Sequence, residues 1–334
     1  MPEIPAEFRA FVAEKVGETV ERRLRAFAAA DLPPGEVDIR VRWSSVNYKD
    51  ALATIPTGKV ARISPLIPGI DLAGTVIASE DEAVPIGAEV VAHGYDLGVA
   101  RHGGFAEYAR VPADWIVPLP GGLTARDAMA VGTAGFTAAL SVARLEAHGL
   151  SPNDGPVLVT GASGGVGRTA TAILVERGYE TWAATGKTDV HDDLQAMGVA
   201  GILSRDEVTA DSPRPLESER WAGAVDSVGA ATLPYILRTL RWGGAVAASG
   251  NTSGAPFATT VFPFILRGVS LLGIDSARLG IAERRHLWDR IAGDLRPRGL
   301  GEALTEVELD GLEPALDAIL AGQAHGRWLV RLAG

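Results

Sequence analysis

Apolar and polar positions alternate in short runs through the first third of the chain, at 37–43, 71–77, 89–92 and 105–111, with glycine and proline frequent between them. Period-two patterning predicts half-buried strands, and runs this short predict a barrel-like, mostly β domain. From about residue 124 the texture changes, because long helical patterns begin to alternate with compact apolar strands, as parallel βαβ units require. The strands expected there are 156–160, 180–184, 201–203, 222–226 and 244–249, with helices at 165–177, 191–197 and 232–240. Gly178 and Gly198 stand just past the last periodic residues, where helix C-caps belong. Beyond Pro263 the signals mix again, with an apolar stretch at 269–274, an amphipathic helix at 282–292 and a last strand at 328–332, a tail assigned back to the first domain. The expected class is α/β: a doubly wound parallel sheet over 124–260, set inside a mostly β domain formed by 1–123 and 261–334. No internal repeat or low-complexity linker separates the two, so ordered crossings should join them.

Length and composition agree with that division. A chain of 334 residues with 47% hydrophobic and 22% charged residues holds enough for two cored domains. A net charge of −10 argues against a general binder of nucleic acid or anionic membrane, since both demand a basic face. Residues 1–12 lack a basic start followed by an apolar stretch, and no later segment offers about twenty uninterrupted apolar residues. The reading is cytoplasmic. The absence of cysteine removes disulfides, thiolate metal ligands and a cysteine nucleophile, so redox chemistry must come from a bound cofactor.

The local motif that points to such a cofactor is Val157-Leu158-Val159-Thr160, followed by Gly161-Ala162-Ser163-Gly164-Gly165-Val166-Gly167 and an apolar helix. In a strand, tight turn and helix start, small residues let the backbone approach a pyrophosphate, which exposed N–H groups and the helix dipole then hold. Ser163, Gly164, Gly165 and Val166 are the candidate contacts. An NAD-binding unit normally ends its second strand in an acid for the ribose hydroxyls. This strand ends Ala184-Thr185-Gly186-Lys187 instead. A hydroxyl, a backbone N–H and an ammonium group suit a 2′-phosphate, so NADPH is favoured over NADH. Lys187 is one of only four lysines, and Arg205 could supply a second cation in the same region.

Four segments in order carry a resemblance: Asn47-Tyr48-Lys49-Asp50, Pro68-Gly69-Ile70-Asp71-Leu72-Ala73-Gly74, the Gly-rich turn, and Pro263-Phe264-Ile265-Leu266-Arg267-Gly268. Over nearly its whole length the chain resembles the medium-chain dehydrogenase/reductase superfamily, which implies a Rossmann domain and a GroES-like catalytic domain. The runs Arg101-His102-Gly103-Gly104-Phe105-Ala106-Glu107-Tyr108 and Leu271-Leu272-Gly273-Ile274-Asp275-Ser276 look like its quinone-oxidoreductase-like branch, which includes acrylyl-CoA reductases. Zinc alcohol dehydrogenases of the superfamily carry Gly-His-Glu where this chain has Gly69-Ile70-Asp71, and use a cysteine as another ligand. With both missing, no catalytic zinc is expected. His93, His102, His148, His191, His286 and His325 show no metal-ligand spacing and are read as surface or hydrogen-bonding residues.

Without a Lewis acid, the chemistry should suit a substrate already activated toward hydride. The resemblance implies that NADPH delivers a hydride to the β-carbon of a short 2-enoyl-CoA, acrylyl-CoA first, building an enolate that is then protonated. Tyr48 is the catalytic candidate, since its counterpart in the family lies beside the nicotinamide, where it either donates a proton or orients. Thr133 joins it as a cofactor contact by the same resemblance. Asn47 and Asp50 should fix the loop that carries Tyr48. A CoA thioester brings phosphates, for which Arg62, Arg101, Arg278 and above all Arg327 are the candidate cations. Two other readings stay open: reduction of quinones, and a catalytically idle NADPH-binding sensor or structural protein. Rossmann domains of this superfamily commonly pair through an edge strand, expected here near 244–255, which makes a homodimer the default assembly.

Overall fold

Among residues 3–332, which the computed structural model of the protein describes, the chain divides into two compact units. Among these residues unit 1 holds 3–133, 277–292 and 300–332, and unit 2 holds 134–276 and 293–299. The terminal residues 1–2 and 333–334 of the expected first domain lie outside the described residues.

Unit 1 opens with an antiparallel hairpin, β1 (Glu7–Val16) and β2 (Thr19–Ala28). The alternating run at 37–43 folds as β3 (Val37–Val46), with Val37, Ile39 and Val41 buried and Arg40 and Arg42 outward. A short helix, α1 (Tyr48–Ala53), leads on to β4 (Asp71–Ser79), β5 (Glu89–His93), β6 (Tyr108–Val111) and β7 (Ile116–Pro118). Helix α2 (Ala125–Ala147) then carries the chain into unit 2, broken at Gly132 by non-helical dihedrals.

In unit 2, β8 (Val157–Thr160), α3 (Gly165–Glu176), β9 (Thr181–Thr185), α4 (His191–Met197), β10 (Gly201–Ser204), α5 (Arg205–Thr209), β11 (Trp221–Asp226), α6 (Thr232–Thr239), β12 (Leu240–Ala248), α7 (Phe262–Arg267) and β13 (Ser270–Gly273) follow. Their strands form a parallel sheet in the order β10-β9-β8-β11-β12-β13. The order reverses between β8 and β11, so the C-terminal ends of these two strands flank the crevice where doubly wound sheets bind ligands. Strand β8 is buried throughout, as a central parallel strand covered on both faces must be.

The tail, α8 (Ile281–Ala292), β14 (Leu304–Glu308), α9 (Leu312–Leu320) and β15 (Arg327–Arg331), returns to unit 1. There β15 pairs antiparallel with β3, placing Trp328 opposite Val46 and Leu329 opposite Ser45. The unit 1 sheet runs β14-β15-β3-β4-β5-β7, with β6 also on β3. Its core gathers Val37, Ile39, Val41, Leu72, Val76 and Val90 with Leu312, Leu316 and Val330 from the tail.

Three expectations change, and one element was not foreseen. Residues 261–276 sit with the parallel sheet, because β13 pairs with β12 in register Val246 to Leu271. That pairing makes β13 the sheet's edge, whereas β12, expected there, is interior, and 249–261 form no strand. The run at 105–107 precedes its strand, because the Phe105 and Glu107 N–H groups bond to Pro68 and Arg9 carbonyls outside it. The β1–β2 hairpin shows no clean alternation in the sequence, because β2 carries Arg22, Arg23 and Arg25 and buries only Phe27. Helix α2 is long and apolar enough to cross a membrane, and 78% of that apolar window is buried within the fold, as in a core helix.

Candidate functional site

In unit 1, Val46 ends β3 and Asn47 turns the chain into α1, so that Tyr48 is the first helical residue, 44% exposed. The helix entry is held from beneath. Asn47 is the N-cap, and Oδ2 of Asp50 accepts its backbone N–H at 2.9 Å, the reaching-back half of a capping box. The other Asp50 oxygen accepts the N–H groups of Gly69 at 3.0 Å and Ile70 at 2.8 Å. Asn47 and Asp50 thus fix the loop under Tyr48 in the way expected from the sequence.

A second carboxylate lies beside the first. Asp71, fully buried at the start of β4, accepts from Ser45 N–H at 2.9 Å, Ser45 Oγ at 2.8 Å, Asn47 Nδ2 at 2.8 Å and Thr133 N–H at 2.9 Å. Burial first, and then the Asp71 charge, push the Asp50 carboxyl from 3.8 up to about 7, against the pull of its hydrogen bonds. The cation of the cluster is Arg327. Its Nη2 donates to Ser45 Oγ at 2.6 Å, its Nη1 to Asn47 Oδ1 at 3.3 Å and its Nε to the Ala130 carbonyl at 3.3 Å. Burial pulls its guanidinium below the ordinary value, while Asp71 and Asp50 push it back.

Arg327, the leading CoA-phosphate candidate, is 8% exposed, and its Nε, Nη1 and Nη2 each make one of these bonds inside the protein. Of the other candidates, Arg62 is exposed and paired with Asp96 at 3.3 Å. Arg101 is engaged with the Pro34 carbonyl and lies over Trp115, 5.5 Å from the ring centroid. Arg278 is exposed. Ser45 and Gly132 are members of the cluster that the sequence reading missed. A pair of serines ending an apolar strand, and a glycine inside an apolar helical run, were the available signals.

In unit 2 the expected residues come together at the ends of β8, β9 and β10. Gly161 turns at φ 60°, and a Cβ on Gly167 would overlap the Gly161 carbonyl, so both positions need glycine. Gly164 is the N-cap of α3, whose first bond runs from Arg168 N–H to Gly164 O at 2.8 Å. The N–H groups of Gly165, Val166 and Gly167 therefore precede the helical ladder and point out of its positive end. Thr185 Oγ1 donates to Ser163 Oγ at 3.2 Å and accepts the Lys187 N–H at 3.1 Å. Parallel pairing sets Ser204 beside Thr185, which brings Arg205 over Gly186, where a Cβ would stand 2.9 Å from Nη2. The glycine-rich turn thus shares its end of the sheet with a hydroxyl, an ammonium and a guanidinium, and no acid ends β9. These backbone donors and cations fit a phosphorylated dinucleotide.

The donor set offers nothing comparable to a metal. Among the described residues no group of three or more His, Asp or Glu side chains is placed to hold one. His93 is buried and accepts from Trp288 Nε1 at 2.9 Å, and His102 Nδ1 accepts the Ile67 N–H at 3.2 Å. Both are hydrogen-bonding core residues.

Comparison with known proteins gives the same frame. Residues 33–121 match the alcohol dehydrogenase GroES-like domain family. The acrylyl-CoA reductase AcuI of Ruegeria pomeroyi is 49% identical over 97% of this chain and 98% of its own. Two solved structures cover 100% of their own chains: the yhdH oxidoreductase of Salmonella enterica in complex with NADP, 46% identical over 97% of this chain with a TM-score of 0.95, and yhfP of Bacillus subtilis with NAD bound, 46% identical over 98% with a TM-score of 0.96. With identity at this level along the whole chain, the protein belongs to the acrylyl-CoA reductase-like family of medium-chain dehydrogenases/reductases, alongside AcuI, YhdH and YhfP.

Proposed function

We propose that the protein reduces the activated double bond of a short 2-enoyl-CoA with NADPH, acrylyl-CoA to propionyl-CoA first. The observation that carries the cofactor is the acid-free, basic end of β9 beside the Gly-rich turn. The substrate class follows from the likeness to the acrylyl-CoA reductase AcuI.

NADPH, when bound, supplies the hydride that reaches the β-carbon. The backbone N–H groups of Gly165 and Val166, with Ser163, hold the pyrophosphate. Thr185, Gly186, Lys187 and Arg205 hold the 2′-phosphate, their two positive charges answering its negative ones. Thr133 and Tyr48 contact the nicotinamide end. The enolate left on the substrate takes its proton at the α-carbon, and the Tyr48 hydroxyl is the group that gives or orients it. Asp71 and Asp50 stay out of the reaction, since their oxygens are committed to N–H and O–H donors.

In this reading the enzyme is a cytoplasmic homodimer joined along the β13 edge. Val261, Ile265 and Leu266 around α7 are 62%, 67% and 58% exposed in the same chain segment as that edge. An apolar surface of this kind beside an open edge favours pairing with a second copy.

The test is NADPH oxidation with acrylyl-CoA, crotonyl-CoA and a simple quinone side by side, repeated with NADH. Turnover of acrylyl-CoA orders of magnitude above the quinone, and with NADPH above NADH, is the expected result. Turnover of the quinone alone replaces the reading with quinone reduction. Tight NADPH binding without turnover of any of the three would replace it with a non-catalytic role.

A further inference from the structure

Hydrogen-bond polarity in the unit 1 cluster runs in one direction, and Arg327 sets it. A guanidinium only donates. Ser45 Oγ, 2.6 Å from Nη2, must therefore accept there, which leaves its own proton for Asp71 at 2.8 Å. Asn47 must likewise turn Oδ1 toward Nη1 at 3.3 Å, which leaves its NH2 group for Asp71 at 2.8 Å and Asp50 at 3.3 Å. The reverse amide would aim an oxygen at two carboxylates and an NH2 at a cation. Among the described residues Arg327 forms no direct ion pair with either acid; beside the through-space pull of the charges, it is joined to them by hydrogen bonds through these two side chains. Asn47 is also the N-cap of the helix that begins at Tyr48.

We propose that Arg327 is a positioning residue for Tyr48, holding the Asn47 cap in the one orientation that ties the Tyr48 helix to both buried carboxylates. The arrangement depends on long-range register, because β15 brings Arg327 to the end of β3 where Asn47 follows. For its kinetic readout the proposal rests on the enoyl-CoA reading. A second readout is independent of that reading.

The experiment compares Arg327→Met and Arg327→Lys in the full chain with acrylyl-CoA and NADPH. Arg327→Met should lower kcat on the order of 100-fold, the cost of a misplaced catalytic group, with both KM values within about threefold of wild type. Arg327→Lys should recover part of kcat, since an ammonium can still donate to Ser45 or Asn47. In a Tyr48→Phe background the Arg327→Met effect should shrink to within about threefold, because the two act as one unit. Asn47→Ala, which removes the side chain that Arg327 holds while keeping the cation, should show the same kcat-selective signature and serves if Arg327→Met does not fold. A raised acrylyl-CoA KM with kcat intact would overturn the proposal in favour of a substrate phosphate contact. A lowered Tm with unchanged kinetics would overturn it in favour of a structural role.

If wild type shows no turnover, the enoyl-CoA reading fails and the proposal is judged by NMR of tyrosine-ring-labelled protein without substrate. The Tyr48 resonance, assigned by its loss in Tyr48→Phe, should move in Arg327→Met and return toward wild type in Arg327→Lys. An unmoved resonance overturns the proposal.

Discussion

Gly132 backs onto the Arg327 guanidinium so closely that a Cβ there would overlap Nη2, and it would also stand 2.6 Å from Ser45 Oγ. The residue breaks α2 at φ 54° and ψ −165°, a conformation that side chains rarely adopt. Strain and steric overlap therefore act together. Gly132→Ala should cost at least about 2 kcal/mol of stability. Urea unfolding checks this, and a midpoint equal to that of wild type would refute it.

Tyr48 stands half-exposed on a firmly capped helix start, so its hydroxyl can be removed without disturbing the cap. Tyr48→Phe should lower kcat for acrylyl-CoA by on the order of 100-fold if the phenol transfers the proton. The Kd for NADPH should change by no more than a few-fold. Stopped-flow hydride transfer and fluorescence titration separate the two quantities, and an unchanged kcat would reduce Tyr48 to packing.

Lys187 and Arg205 lie at the same end of the sheet, where an NAD-type site would carry an acid. Reversing either charge should therefore penalise the phosphorylated cofactor selectively. Lys187→Glu and Arg205→Glu should each raise the KM for NADPH roughly 10- to 100-fold, a loss of about 1.4–2.8 kcal/mol, while that for NADH moves little. Equal effects on both cofactors would mean that the two cations serve the pyrophosphate or the fold.

The carboxyl of Asp50 titrates near 7 in the folded protein and near 3.8 in the unfolded chain, chiefly because it is buried. Between those values the folded protein binds a proton that the unfolded chain has released. This group's contribution is accordingly full in acid, falls as pH rises through that window, and levels off above about 7. The difference in stability between wild type and Asp50→Asn should drop by on the order of 2–4 kcal/mol from pH 4 to pH 8. Calorimetry across that range measures it, and a flat or rising difference would contradict the shift.

The nucleotide half of the site was legible because its information is local. One strand, one turn and one helix start fall within about twenty residues, and glycines are required there by backbone approach rather than by distant partners. The end of β9 could be read as basic for the same reason, although only the parallel register of β9 and β10 brings Arg205 against Gly186. The tail was harder. Residues 261–276 look like a return to the first domain, yet β13 continues the parallel sheet, because an apolar strand gains more by pairing with β12 than composition reveals.

By itself the sequence determined the two-domain α/β plan, the absence of thiolate chemistry, the nucleotide turn and Tyr48 behind its Asn47–Asp50 cap. Each follows from residue type or from spacing within a few turns of chain. Only the tertiary structure decided that Arg327 is buried inside unit 1, hydrogen-bonded to Ser45, Asn47 and Ala130. Its partners come from 45–47 and 130, and its place depends on how β15 registers against β3, nearly the whole chain away. A strand's register is set by burying one entire face against the core, which no short stretch of sequence records.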